Sequence, residues 1–304
     1  MRKKYGFLIG GLLLMILLIG VNFWVSSTKK ESEEIVVDTT PSSLTNYEFI
    51  RKLNNKNTFK SSKHFGDYIA DASVGEGAVL SAEDEKESTL NQESYTIAAI
   101  GDSMIETMGG NLEYLGDALK EKYPDTGFAF YNYGLGAENI SQGLERFDDS
   151  YSYLSRNFPP LHELSPDVII VGSYAYNPLV PHDRQKHSTE LSSMVVKAKE
   201  ITPNVYIMAE IAPLESGFGE GVGGVNWPES IANEHVKLII EQLENAVALA
   251  PILEVGLIDV YNLSTRKESI YGEPFYVNQH DNIHPSVEGH IFTAKVIASN
   301  LYLP

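Results

Sequence analysis

From residue 96 onward, short unbroken apolar runs alternate with longer segments in which apolar side chains recur at helical spacing. The first run, 96–100, is Thr96, Ile97, Ala98, Ala99 and Ile100, and it ends abruptly in Gly101, Asp102 and Ser103. An apolar, β-branched run closed by small turn-forming residues predicts a strand covered on both faces. Over 106–123, Leu112, Leu115, Ala118 and Leu119 lie on one helical face, and Pro124 ends the pattern. A second strand is predicted at 128–133, running into Gly134, Leu135 and Gly136, and a third at 167–172, running into Ser173. The alternation continues with a helix at 188–200, a strand at 205–211, a glycine-rich loop at 215–227 that suggests a mobile segment near a site, a helix at 229–250 and a strand at 255–260. A polar loop at 277–286 precedes a closing helix whose cap is Ser286, the type of residue that accepts the free N–H groups of a first turn.

Strands and helices taking turns at this spacing imply βαβ units and a parallel sheet covered on both faces. The order of the elements leaves few topologies once crossovers are right-handed. Ligands of such sheets bind beyond the carboxyl ends of the strands, which is where Ser103 stands.

The alternation does not reach the N-terminus. Residues 1–5 carry Arg2, Lys3 and Lys4, and 6–25 contain no charged side chain, a stretch long enough to cross a bilayer. It reads as a membrane span or a signal peptide. Its length, and the lack of an Ala-x-Ala site after it, favour an uncleaved anchor, with the N-terminus cytoplasmic and the rest of the chain facing outward from the cell membrane. Residues 26–94 are polar and mixed in charge, the composition of a stalk, although Tyr47, Phe49, Phe65 and Tyr68 could pack on the domain formed by 95–304.

Charge and cysteine content narrow the chemistry. The chain of 304 residues has a formal net charge of −18 and no cysteine. The acidic balance argues against nucleic acid or other polyanions as partner, and the missing thiols exclude disulfides, thiolate metal sites and a cysteine nucleophile. Neutral carbohydrate and small-molecule esters remain open as substrates.

Ser103 is an alcohol and becomes a nucleophile only with a base and a group that orients the base. Of the 8 histidines, His284 stands three residues after Asp281 in the polar loop near the C-terminus. Asp281 can accept a hydrogen bond from one imidazole nitrogen and so leave the other free to take the serine proton. Spacing alone would make Asp-x-x-His a weak signal.

Taken together, Gly101-Asp102-Ser103-Met104, Asn132-x-Gly134 and Asp281-x-x-His284 resemble the first, second and fifth blocks of the SGNH (GDSL-like) hydrolases. The resemblance implies a three-layer α/β/α, flavodoxin-like fold with a central parallel five-stranded sheet, and a serine esterase or acyl-transfer mechanism that uses no cofactor. It implies Ser103 as nucleophile, His284 as base and Asp281 as its orienter. The oxyanion hole would comprise the N–H groups of Ser103 and Gly134 and an asparagine from the third block. That block departs from the pattern, with Tyr174 where the asparagine should stand. Asn177 is the substitute if the loop carries an insertion, and otherwise it is a turn residue before Pro178.

Asp102, Tyr174 and Tyr176 are expected to touch substrate, the tyrosines as part of an aromatic wall with Phe218 and Trp227, although aromatics at loop bases as often pack in a core. His182, Asp183, His187, His280 and Asp281 match no familiar metal-ligand spacing, so no metal is expected. Glu138 and Glu210 could form a glycosidase pair but need no catalytic duty. The expected protein is a membrane-anchored, outward-facing serine esterase of acylated carbohydrate. The alternatives are an acetyltransferase acting on wall polymers and a catalytically silent envelope scaffold. Oligomeric state is open.

Overall fold

A computed structural model describes residues 90–304. The expected anchor at 6–25 and nearly all of the stalk lie outside the described residues. Among the described residues no helix is long and apolar enough to cross a membrane.

The first strand, β1 (Ser94–Gly101), has Ile97, Ala98, Ala99 and Ile100 wholly buried. It is followed by a single-turn helix α1 (Ser103–Glu106) and then α2 (Glu113–Lys122). After β2 (Gly127–Gly134) come α3 (Ile140–Glu145) and a small antiparallel hairpin, β3 (Tyr151–Tyr153) with β4 (Arg156–Phe158). The chain continues through β5 (Val168–Gly172), α4 (Arg184–Ile201), β6 (Val205–Ala209), α5 (Glu229–Ile252), β7 (Gly256–Asp259), the short α6 (Val260–Leu263) and the closing α7 (Val287–Asn300).

Five strands form one parallel sheet in the order β2-β1-β5-β6-β7. Counted within that sheet the order is 2-1-3-4-5, the flavodoxin-like doubly wound arrangement, as expected. The central strands β1, β5 and β6 are buried throughout their cores because helices flank the sheet. Helix α2 packs with α7, and α3 packs with α4, which packs with α5. The apolar stripe of α5, Val236, Ile239, Leu243, Ala246 and Leu249, faces inward, as its periodicity requires.

The helix expected over 106–123 is broken. Gly109 (φ 98) and Leu112 (φ 52) take left-handed backbone, and the chain restarts at Glu113. Leu112 is buried nonetheless, so its apolar spacing reflects core packing and not a continuous helix. The sequence reading also has no hairpin at 151–158. Its strands are three residues each and turn through Leu154 (φ 46) and Ser155 (φ 62), too short for a periodicity to register.

Candidate active site

The site is built on the carboxyl edge of the sheet, around the turn from β1 into α1. Asp102 caps α1, its Oδ1 accepting the Met104 N–H at 2.9 Å. Ser103 thus becomes the first helical residue, and its own N–H has no partner among the described residues. The turn is tight enough that a Cβ on Gly101 would overlap the Ile105 side chain.

Asn132, buried at the end of β2, locks this turn in place. Its Nδ2 donates to the carbonyls of Ile105 at 2.8 Å, Gly109 at 2.7 Å and Glu106 at 3.2 Å. Arg146 adds a second lock that the sequence reading missed. Its guanidinium donates to Gly101 O at 3.3 Å and Tyr133 O at 2.8 Å, and it pairs with Glu138 at 2.7 Å.

The expected role of Gly134 in the oxyanion hole is corrected. Gly134 is buried, and its N–H donates to Asn132 Oδ1 at 2.8 Å, so it has no proton to offer a substrate. The glycine is needed for another reason: a Cβ there would overlap the backbone of Glu106. The next turn keeps a free donor. Leu135 N–H bonds Gly101 O at 3.0 Å, the Gly136 N–H faces the Tyr153 hydroxyl, and the Ala137 N–H (φ 60) has no partner among the described residues.

Asp281 and His284 are brought together as the sequence spacing suggests. His284 Nδ1 lies 2.7 Å from Asp281 Oδ2, and because a carboxylate accepts, Nδ1 carries the proton and Nε2 presents a lone pair. Asp281 Oδ1 accepts the N–H groups of Ile283 at 2.9 Å and His284 at 3.1 Å. Partial burial pushes the Asp281 carboxyl up, but these three donors outweigh it and hold its pKa below the usual carboxylate value. The loop is closed at its base by Asn278 N–H to His284 O at 2.8 Å and a bridge between Val277 and Pro285.

The glycine-rich loop at 215–227 is tied down over this turn. Gly223 N–H donates to His280 O at 2.9 Å, Asn282 Nδ2 to Gly217 O at 3.1 Å, and Gly219 N–H to Asn282 O at 3.4 Å. Gly221 (φ 132) meets His280 O so closely that a side chain would collide.

His284 lies near enough to the β1–α1 turn to act on Asp102. The charge of His284 reaches Asp102, the residue before Ser103, and opposes the burial that pushes the Asp102 carboxyl up. The half-exposed Ser103 hydroxyl makes no hydrogen bond to His284 among the described residues; such bonds commonly tighten only when substrate is bound. Asn177, from the loop after β5, donates its amide to Asp102 Oδ2 at 3.0 Å.

The substrate contacts expected from Asp102, Tyr174 and Tyr176 are corrected. Their exposures are 0%, 0% and 4%. Tyr174 packs on Gly143, and Tyr176 donates to Ile211 O at 2.9 Å. Phe218 is buried too, so only Trp227 of the supposed aromatic wall reaches solvent. Glu138 and Glu210 are not paired: the first holds Arg146, and the second is buried against Ser173. His182 pairs with Glu241 at 2.5 Å, Asp183 caps α4, and His187 bonds Ser173 O at 2.8 Å, so these groups do not converge with His280. Among the described residues no cluster of three metal-ligating side chains occurs.

No family model and no curated protein matches the chain. Among solved structures it is similar to a lipolytic protein of the G-D-S-L family from Desulfitobacterium hafniense DCB-2, at 16% identity and a TM-score of 0.47, covering 68% of this chain and 99% of that one. A GDSL-like lipase from Bacteroides thetaiotaomicron VPI-5482 matches at 15% identity and 0.48, covering 77% and 95%. An acetylxylan esterase from Geobacillus stearothermophilus matches at 15% and 0.48, covering 68% and 93%. The Gly101-Asp102-Ser103 turn and the Asp281–His284 pair are two of the blocks by which the sequence resembles the SGNH (GDSL-like) hydrolases.

Proposed function

We propose that the protein is a serine carboxylic ester hydrolase. The observation that carries this reading is the Asp281–His284 pair at 2.7 Å, together with the start of a helix at Ser103 directly after β1. Ser103 Oγ attacks the ester carbonyl carbon while His284 Nε2 takes its proton. The tetrahedral oxyanion is met by the Ser103 N–H, by the second amide proton of Asn177, and by the Ala137 N–H, which takes the place expected of Gly134. Collapse breaks the ester C–O bond, and His284 returns the proton to the leaving alcohol. Water then attacks the acyl-enzyme by the same route in reverse.

For substrate we propose a short acyl ester, acetyl first, on carbohydrate of the cell envelope. The acidic chain suits a neutral substrate, and the apolar stretch at 6–25 suits a cell-membrane anchor that leaves 95–304 outside. Transfer of the acyl group to a wall polymer uses the same residues.

The test compares the full-length protein with Ser103→Ala for labelling by a fluorophosphonate and for turnover of p-nitrophenyl acetate and an O-acetylated oligosaccharide. Labelling and turnover that vanish in Ser103→Ala are expected. Equal behaviour of the two proteins overturns the hydrolase reading. Diversion of acetyl from water to an added sugar acceptor would favour transfer. Protease added outside intact cells should remove the domain, and protection would overturn the orientation.

A further inference from the structure

The first residues beyond three neighbouring strands, Asp102 after β1, Ser173 after β5 and Glu210 after β6, form a row along the edge of the sheet. All three are buried, at 0%, 0% and 2% exposure. The Glu210 carboxyl reaches across the strand between: a Cβ on Gly172 would lie 2.9 Å from its Oε1 and 3.3 Å from Gly101 Cα. Glu210 Oε1 accepts the Ser173 N–H at 2.8 Å, and Oε2 shares a short hydrogen bond with the Ser173 hydroxyl. Ser173 Oγ also accepts the Ala175 N–H at 3.1 Å. From the other side, His187 donates Nε2–H to Ser173 O at 2.8 Å, and burial lowers its pKa to about 4, which keeps it neutral. Ser173 is therefore gripped at its N–H, its hydroxyl and its carbonyl. Four residues on, the same loop delivers Asn177 to Asp102.

We propose that Glu210 is a positioning residue for the site, fixing Ser173 so that the 173–177 loop presents the Asn177 amide beside Ser103. The inference rests on the reading of Ser103 as nucleophile and Asn177 as oxyanion donor. Glu210 touches no substrate; it acts through Ser173.

The pair of buried acids decides which of them keeps a proton. The charged and titratable groups facing Glu210 are Asp102 from the end of β1 and Tyr176 from the loop after β5, and Tyr176 is held neutral by burial. Among the described residues no lysine or arginine pairs with either acid. Asp102 has donors on both oxygens, Met104 N–H and the Asn177 amide, and it also feels His284. Glu210 has the Ser173 N–H and hydroxyl as partners, but it faces the Asp102 charge with no positive group beside it, so burial and that charge outweigh the hydrogen bonds and push its pKa up. Glu210 is the neutral acid and Asp102 the carboxylate. Ionising Glu210 puts a second buried anion beside the first, which destabilises the row.

The test uses full-length wild type, Glu210→Gln and Glu210→Ala. Glutamine keeps an acceptor for the Ser173 N–H and supplies a neutral donor to the Ser173 hydroxyl, whereas alanine supplies neither. Glu210→Ala is expected to lower kcat for p-nitrophenyl acetate by about tenfold or more with little change in KM, and Glu210→Gln to restore most of it. A second measurement follows thermal unfolding against pH in a Ser103→Ala background, where no turnover is needed. Because the folded pKa of Glu210 is raised, its contribution to stability is complete below the unfolded pKa and is lost as pH climbs through the folded one. The wild-type midpoint should therefore fall relative to Glu210→Gln as pH rises. Parallel midpoint curves overturn the neutral-acid assignment. Glu210→Gln as impaired as Glu210→Ala, or unchanged kcat in Glu210→Ala, overturns the positioning role. Absence of turnover and labelling in the wild type instead overturns the hydrolase reading, while the unfolding curves still report on Glu210.

Discussion

Asn177 donates its side-chain amide to Asp102 Oδ2 at 3.0 Å, bridging from the loop after β5 to the residue that precedes Ser103. The loop from Ser173 to Asn177, with Tyr174 in left-handed backbone at φ 57, thus brings an asparagine to the residue before the serine although its spacing departs from the expected pattern. One amide proton is engaged by Asp102, which fixes the group, and the proposed function assigns the other to the oxyanion.

Replacing this donor should hurt chemistry more than binding. Asn177→Ala is expected to lower kcat by about 10²- to 10³-fold with KM little changed. Steady-state kinetics with p-nitrophenyl acetate check it, and a kcat within threefold of wild type would make Asn177 a turn residue only.

Much of this arrangement was legible from residues 96–104 and 277–286. A buried strand leaves a strong sequence trace, and Asp-x-x-His in a polar loop is local enough for the two side chains to meet without help from the fold. What failed depended on where groups point in three dimensions. Asn132-x-Gly134 told that a glycine was required, but not that its N–H would turn back onto Asn132 Oδ1 and its bare Cα would face Glu106. Tyr174 and Tyr176 stood at a strand end, where a doubly covered sheet directs side chains inward as readily as outward. Glu210 read as an ordinary strand-end carboxylate because its burial comes from the neighbouring strand and the missing side chain of Gly172, neither adjacent in sequence.

The orienting role proposed for Asp281 predicts two separable effects of Asp281→Asn. Activity should fall by about 10⁴-fold, because an amide no longer selects the Nδ1–H tautomer. Stability should also change with pH. The folded pKa of Asp281 is depressed, so its contribution is present above the unfolded value of about 3.9 and is lost as pH falls through the folded value. Thermal midpoints of wild type and Asp281→Asn should differ at neutral pH and converge in acid. A constant gap would show that the carboxylate gains nothing from its three donors.

Gly134→Ala tests the close approach that replaces the oxyanion role. The added Cβ overlaps Glu106 in the turn that carries Ser103, and overpacking of this kind costs about 1–3 kcal/mol. The midpoint should drop and activity should fall with it as α1 shifts. Unchanged stability with a pure loss of kcat would instead point to a direct role for the Gly134 N–H.

The clamp on the acid–base loop gives the last prediction. Gly221 holds φ at 132, where a side chain is strained, and its Cα faces His280 O, one residue before Asp281. Gly221→Ala must either leave that backbone region or push the 215–227 loop away, and both routes break the Gly223 N–H to His280 O bond at 2.9 Å. The Asp281–His284 pair itself is local and should survive. The expected result is therefore a reduced kcat with the Ser103, His284 and Asp281 side chains all present, together with faster amide exchange at Gly223. Normal kcat alongside faster exchange would show that the glycine loop covers the acid–base turn without aiming it.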